Sequence, residues 1–221
     1  MNQGPLPEAS VQPDLARRID EARERLDAVN AARETGLAAC RRTIRLAGSA
    51  IRAVHRREPD RAASVTAECE ASLREAQSSL APFPMVAYAG FLHDAEKEYA
   101  EAVLTARLVL GGDVPGWEEL GVGVPAWLNG LAEAASELRR HLLDRLRSGE
   151  TGTAERLLAR MEDVYEALVL VDYPDAVTGG LRRTADALRA VLERTRSDVT
   201  TTVLQVRLQE ALETRAKEER A

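Results

Sequence analysis

Apolar residues recur every three or four positions along most of the chain, which is the spacing of one face of an α-helix. In residues 41–57, for example, Ile44, Ala47, Ile51 and Val54 form one apolar stripe. Clusters of proline and glycine divide the pattern into segments, because both residues interrupt helices. The pattern predicts an all-α protein, a single-domain bundle of six main helices with a seventh, short one.

The predicted helices begin and end at recognisable residues. Proline restricts the residue before it, so the first helix ends at the sequence Glu58-Pro59-Asp60. Asp60 is the predicted N-cap of the second helix, and Thr151 or Thr153 is that of the fifth. The six main helices are predicted at residues 14–57, 60–80, 85–110, 125–147, 151–172 and 178–220, and the short one at residues 117–120.

The N-terminal segment differs from the rest of the chain. Residues 1–13 combine Pro5, Pro7 and Pro13 with polar residues. Such a segment buries too little apolar surface to offset the entropy that is lost when it becomes ordered. We therefore expect a flexible N-terminal arm at residues 1–13 and one helical domain at residues 14–221.

The composition agrees with helices and restricts the function. With 221 residues the chain can bury the core of one domain, while two domains would be crowded. Only 14 glycines and 9 prolines occur, and aromatic residues make up 4%, as in proteins built of long helices. The formal net charge of −6 argues against a protein that coats nucleic acid indiscriminately, because its average field repels phosphate. A local basic patch remains compatible with this charge.

The cysteines and the hydropathy indicate the compartment. Cys40 and Cys69 both lie in predicted helices, so a disulfide framework is not expected and a reducing cytosol is. The sequence has no apolar run of membrane-spanning length and no pattern of a signal peptide. We expect a cytoplasmic protein without a membrane partner.

The first predicted helix carries a local excess of positive charge. Six arginines and no acidic residue occur in residues 41–57. Four of them, Arg41, Arg45, Arg52 and Arg56, fall on one narrow face opposite the apolar stripe. Guanidinium groups on such a face can bind phosphate oxygens without reading the base sequence. The alternative is a solvated surface whose arginines pair with acids on neighbouring helices.

Two predicted helices each present acidic residues on one face. Asp94, Glu98 and Glu101 follow one another at helical spacing, and so do Glu133 and Glu137. Such exposed pairs of like charge cost roughly 0.2–0.5 kcal/mol each unless a cation lies between them. If the two faces meet, their oxygens could hold Mg²⁺ or Mn²⁺, which can activate water for attack on a phosphodiester.

The alternative is two solvated acidic faces that Lys97, Arg139 and Arg140 offset. His55 lies beside the arginines, and a lone histidine of this kind is more typical of a packing or surface residue than of a ligand. The sequence contains no zinc-type cysteine spacing, phosphate-binding loop or nucleophile elbow.

Four segments, taken in their order and spacing, resemble the translin and Trax family, in particular its archaeal and bacterial branch. They are RLAGSAIRAVHR at residues 45–56, YAGFLHDAEKEYAEA at 88–102, LNGLAEAASELRR at 128–140 and DYPDAVTGGLRR at 172–183. The resemblance spans nearly the whole chain. It implies a helical bundle that assembles into a closed homo-oligomer, an octamer, around RNA or single-stranded DNA.

The resemblance also implies catalytic residues. In the Trax branch a metal-dependent ribonuclease uses a Glu-Tyr-x-Glu-Ala element and a later acidic-x-x-x-Glu element. The matching residues are Glu98, Glu101, Glu133 and Glu137, and Glu133 stands where Trax has an aspartate. The resemblance therefore implies a Mg²⁺- or Mn²⁺-dependent endoribonuclease with these four acids as metal ligands, and Asp94 is a further candidate ligand.

Two other functions remain compatible with the sequence. A non-catalytic shell would bind single-stranded DNA or RNA through the four arginines alone. A helical scaffold that binds only protein is the third candidate, and an arginine face on an acidic chain disfavours it.

Overall fold

The computed structural model describes residues 13–219, and within this range it contains helices and no strands. The helices are α1 (Pro13–His55), α2 (Pro59–Leu80), α3 (Pro84–Ala87), α4 (Phe91–Leu110), α5 (Trp117–Leu120), α6 (Val124–Arg147), α7 (Thr151–Val169), α8 (Asp175–Thr178) and α9 (Leu181–Glu218). The prediction of an all-α fold with six long helices is confirmed. The arm predicted at residues 1–13 lies outside the described residues, except for Pro13, which begins α1.

Two predicted helices are wrong at their N-terminal ends, where glycines change the direction of the chain. The predicted helix at residues 85–110 is two helices, because Gly90 between α3 and α4 has a φ of +98°. The predicted helix at residues 178–220 begins only at Leu181, after Gly179 and Gly180 with φ values of +63° and +85°. Glycine reaches these angles without the steric cost that a Cβ atom imposes.

The predicted N-caps are also displaced. Glu58 precedes α2 and Pro59 opens it, so Asp60 lies in the first turn, where its negative charge still favours the helix dipole. Glu150 precedes α7, and Thr151 is already helical. Neither Glu58 nor Glu150 makes a side-chain capping hydrogen bond.

The bundle is organised around α4 and α6. Helix α4 packs against α1, α2 and α6, and α6 packs against α7 and α9 as well. The fully buried leucine and methionine side chains come from the five long helices other than α1 and include Leu73, Leu104, Leu138, Met161 and Leu188. None of the described helices is both long and apolar enough to cross a membrane.

A single glycine lets α4 and α6 approach closely. A Cβ atom on Gly130 of α6 would lie 2.8 Å from the Lys97 carbonyl oxygen and 3.0 Å from the Glu101 amide nitrogen of α4. The residues one turn away on α6, Ala126 and Ala134, are small and fully buried. Backbone therefore meets backbone at the turns of α4 that carry the predicted acidic site.

Candidate metal centre and nucleic-acid interface

Three of the predicted acids meet where α4 packs against α6. Glu98 and Glu101 of α4 and Glu133 of α6 each have a carboxylate oxygen within 4.8 Å of the other two. Glu133 lies one turn after Gly130, so the close approach of the helices brings its carboxylate to those of α4. We call Glu98, Glu101 and Glu133 the carboxylate triad.

Glu101 is the innermost member of the carboxylate triad. Its accessible surface is 9% of the full value, and no hydrogen bond or ion pair from the described residues reaches its carboxylate. Burial, followed by the negative charges of Glu133, Glu98 and Glu137, raises the pKa of Glu101 to about 8. A carboxylate of this kind is more stable beside an added cation.

Lys97 supplies one positive charge to the carboxylate triad. Its Nζ atom donates to both Glu133 oxygens, at 2.8 and 2.7 Å, and lies 3.3 Å from a Glu98 oxygen. Burial disfavours the ammonium, but the hydrogen bond to Glu133 and the charges of Glu133 and Glu98 outweigh it and raise the pKa of Lys97. The lysine is therefore charged at neutral pH.

Of the three cations that the sequence offers to offset the acidic faces, only Lys97 contacts these acids within the described residues. Arg139, which the sequence also offered as a counter-charge, instead binds Thr195 and Asp198 of α9 at 2.9 and 2.8 Å. Arg140 is exposed and makes no ion pair with the described residues.

The structure does not place Glu137 in the carboxylate triad. Its Oε2 atom accepts a hydrogen bond from Nε2 of His55, 2.7 Å away, and the His55 side chain is only 4% exposed. This hydrogen bond is the main cause that keeps the pKa of Glu137 below its usual value, against the opposing effect of burial. The other imidazole nitrogen, Nδ1, is buried without a partner among the described residues.

Asp94 and His55 are two further residues that the sequence analysis considered. Asp94 is exposed and lies outside the carboxylate triad. The sequence favours a packing or surface role for His55, yet this residue binds a predicted catalytic acid. The two residues of this pair are 82 positions apart, so no local pattern indicates their contact.

The predicted arginine face of α1 is exposed. Arg41, Arg45, Arg52 and Arg56, which we call the arginine stripe, form no ion pair with the described residues. Arg52 donates to Ser49 at 2.8 Å, which leaves its charge uncompensated. The alternative prediction, that the arginines of this segment pair with acids on neighbouring helices, therefore does not hold for these four among the described residues.

Arg42, another arginine of the same segment, does pair with a neighbouring helix. It binds Ser72 of α2 at 2.9 Å and forms an ion pair with Glu75 of α2. Because Arg42 points toward α2, it is separated from the face that carries the arginine stripe.

The helix that carries the arginine stripe contacts one of the predicted acids through His55. His55 follows Arg52 by three residues, which places it roughly 60° around α1 from that arginine. The His55 side chain reaches Glu137 of α6, so the last turn of α1 lies against the helix that also carries Glu133.

A large cavity of the described residues lies elsewhere. It has a volume of about 720 Å³ and is lined mainly by α2 and the C-terminal half of α4, together with His141 and Arg145. No member of the carboxylate triad or the arginine stripe lines it. The acids instead lie on a partly open face, which suits an extended substrate better than an enclosed small molecule.

Comparison with known proteins gives relatives with the same fold. No family model matches the chain. An uncharacterized protein of Methanocaldococcus jannaschii is 33% identical over 136 residues, which are 61% of this chain and 60% of that protein. The match therefore spans less than two thirds of that relative's length.

Solved structures match over a greater length. AfC3PO in complex with duplex RNA has a TM-score of 0.78 and 31% identity, over 85% of this chain and 97% of the AfC3PO chain. AfC3PO determined separately gives the same score and identity, with 98% of its chain covered. The structure of apo-NeC3PO has a TM-score of 0.77 over 88% of this chain and all of its own, and at 20% identity it shows the fold alone.

Proposed function

The chain belongs to the translin and Trax family, to which the C3PO structures belong, and we propose that it is an RNA-binding, divalent-metal-dependent endoribonuclease subunit of a homo-oligomer. The observation that carries the proposal is the meeting of three carboxylates from two helices, one of which, Glu101, is buried and has no partner among the described residues. An exposed arginine stripe on α1, whose His55 contacts Glu137, supports a phosphate-containing substrate.

The carboxylate triad fits a hard divalent cation. It offers oxygen ligands, which Mg²⁺ and Mn²⁺ prefer over nitrogen and sulfur. Glu101 has no counter-charge of its own among residues 13–219, and a bound cation would lower its raised pKa. The ion would supply a Lewis acid that polarises the phosphodiester and lowers the pKa of water.

The residues of the chain have distinct parts in this proposal. Glu98, Glu101 and Glu133 hold the cation, and Asp94, one turn before Glu98, is a further candidate ligand. Glu137 lies at the edge of the site with its carboxylate kept ionised by His55, so it can accept a proton or act as an additional ligand.

The arginine stripe would hold the RNA backbone. Arginine binds phosphate oxygens in a bidentate manner and carries no base specificity in such contacts. AfC3PO, 31% identical to this chain, has been determined with duplex RNA. We place the RNA near the acids because α1, which carries the arginine stripe, contacts Glu137 through His55.

The test is cleavage of labelled small RNAs by the purified protein in Mg²⁺, in Mn²⁺ and in EDTA. We expect cleavage with either metal and none in EDTA. Glu101→Gln removes a charged ligand and keeps the side-chain shape, so it should abolish cleavage while the affinity for RNA in EDTA stays within about twofold. Glu68→Gln, an exposed acid of α2, is the matched control and should cleave like the wild type.

A non-catalytic shell that binds single-stranded DNA or RNA is the second candidate. It is favoured by the contact of Lys97 with both Glu133 oxygens, which already offsets part of the negative charge. This candidate predicts salt-sensitive binding through the arginine stripe and equal RNA stability with metal and with EDTA. Metal-independent persistence of the substrate would decide in its favour.

A further inference from the structure

The acids at the interface of α4 and α6 are already neutralised unequally by the protein itself. Lys97 contacts Glu98 and Glu133, and His55 contacts Glu137. Glu101, the most buried acid, has no such partner among the described residues. A cation that binds the carboxylate triad through Glu133 must therefore compete with the ammonium group of Lys97.

We infer that Lys97 is a built-in counter-ion that competes with the divalent cation, so that metal binding displaces its ammonium group from Glu133. The inference rests on the proposed function, because it assigns a partner to the same site. In this role Lys97 holds the carboxylate triad together in the metal-free protein and weakens the affinity for metal.

The competition follows from the contacts. Lys97 donates to both oxygens of Glu133, which are the atoms that Glu133 would offer to a metal ion. A divalent cation bound to the carboxylate triad would also lie close to the ammonium, and like charges repel strongly where water is partly excluded. The oxygens of Glu133 therefore favour one cation at a time.

Lys97 is also able to leave. Its side chain is 20% exposed, so the ammonium reaches solvent without the rearrangement of a fully buried group. Lysine carries its charge on a flexible stem of four carbons and has no fixed bonding plane. The backbone of Lys97 is held against Gly130, so the side chain can swing while the helices stay in place.

The first test is the affinity of the full-length protein for Mn²⁺ alone, measured by electron paramagnetic resonance or calorimetry. Lys97→Met keeps the length of the stem and removes the charge, and we expect it to tighten Mn²⁺ binding roughly tenfold or more. Lys97→Arg keeps a positive charge and should stay within about threefold of the wild type. Arg140→Met removes one nearby charge that contacts no acid, and it should change the affinity less than Lys97→Met.

The second test is thermal unfolding with and without metal. In EDTA, Lys97→Met leaves the carboxylate triad without a counter-charge, so its melting temperature should fall below that of the wild type. Mn²⁺ should raise the melting temperature of this variant more than that of the wild type, since a ligand stabilises in proportion to its affinity for the folded state.

The outcomes separate the two proposals. Tighter Mn²⁺ binding by Lys97→Met, with a larger thermal shift, supports the counter-ion. Wild-type binding of Mn²⁺ with equal or weaker binding by Lys97→Met would overturn the counter-ion and leave the metal centre standing. Absence of Mn²⁺ binding by both proteins would overturn the metal centre, and the counter-ion with it.

Discussion

At the scale of single residues, the sequence identifies the acids but not their partners. The spacing of Glu98, Glu101, Glu133 and Glu137 shows which side chains share a face of a helix. Long-range contacts decide how each acid is neutralised. Glu133 meets a lysine 36 positions before it, and Glu137 meets a histidine 82 positions before it.

The raised pKa of Glu101 predicts an unusual pH dependence of stability. The pKa is about 8 in the folded chain against an ordinary value of 4.5, so folding takes up a proton between these values. The unfolded state then binds fewer protons, and the free energy of unfolding from this group falls as the pH rises from about 4.5 to about 8.

Glu101→Gln removes this titration. In EDTA we expect the variant and the wild type to have similar stability near pH 5, and the variant to be more stable near pH 8 by on the order of a few kcal/mol. Chemical denaturation at the two pH values measures the difference. A variant that is destabilised equally at both would show that the Glu101 carboxyl is ionised in the fold throughout.

At the scale of helices, the 3.6-residue periodicity predicts that the long helices exist but does not predict where they begin. Six long helices were predicted within a few residues, because each has an apolar face to bury. The breaks at Gly90 and at Gly179-Gly180 were missed, because a glycine in a helical pattern shows its positive φ only in three dimensions. The predicted caps failed because proline positioned the start of α2 instead of Asp60.

Gly130 gives a prediction at this scale. Gly130→Ala places a methyl group against the backbone of Lys97 and Glu101, so α4 and α6 must separate. We expect a loss of stability of about 1–3 kcal/mol, which is the usual cost of overpacking, and a weaker affinity for Mn²⁺ because Glu133 moves away from α4.

The control for this change is Gly152→Ala on α7. A Cβ atom there meets only the flexible end of Arg156, at 3.8 Å, so the variant should be neutral or slightly more stable. Thermal unfolding and Mn²⁺ titration of both variants test the argument. If Gly130→Ala is destabilised but binds Mn²⁺ as tightly as the wild type, the close packing at Gly130 is not what positions the carboxylate triad.

At the scale of the whole molecule, several long stretches of helix lie outside the core. No residue of α1 between Pro13 and Thr35 is buried, and no residue of α9 is buried after Val199. The outer part of α9 exposes leucines at positions 204, 208 and 212. Exposed apolar stripes of this kind are typical of surfaces that another chain covers, which agrees with the expected homo-oligomer, while the octamer stays a prediction.

The arginine stripe gives a prediction for the assembled particle. Arg45→Gln combined with Arg52→Gln removes two charges that have no acidic partner, so RNA binding should weaken and its dependence on salt should become less steep. The slope of log K against log salt changes by about 0.9 for each duplex phosphate contact that is lost.

The matched control is Arg189→Gln combined with Arg215→Gln on α9, where each arginine pairs with a glutamate one turn later. This control lowers the net charge equally and should leave the slope nearly unchanged. If both double variants show the same slope, the arginine stripe of α1 does not contact the RNA.

The length of the arginine stripe on α1 limits how much of an RNA it can contact. From Arg41 to His55, its last residue, α1 advances fourteen residues, or about 21 Å at 1.5 Å per residue, and Arg56 follows directly. Under the proposed function this segment would run alongside less than one full turn of a duplex RNA, which is A-form. His55, near one end of this segment, contacts Glu137 beside the proposed metal centre, so the proposed function predicts cuts at a fixed distance from the Arg41 end of the arginine stripe.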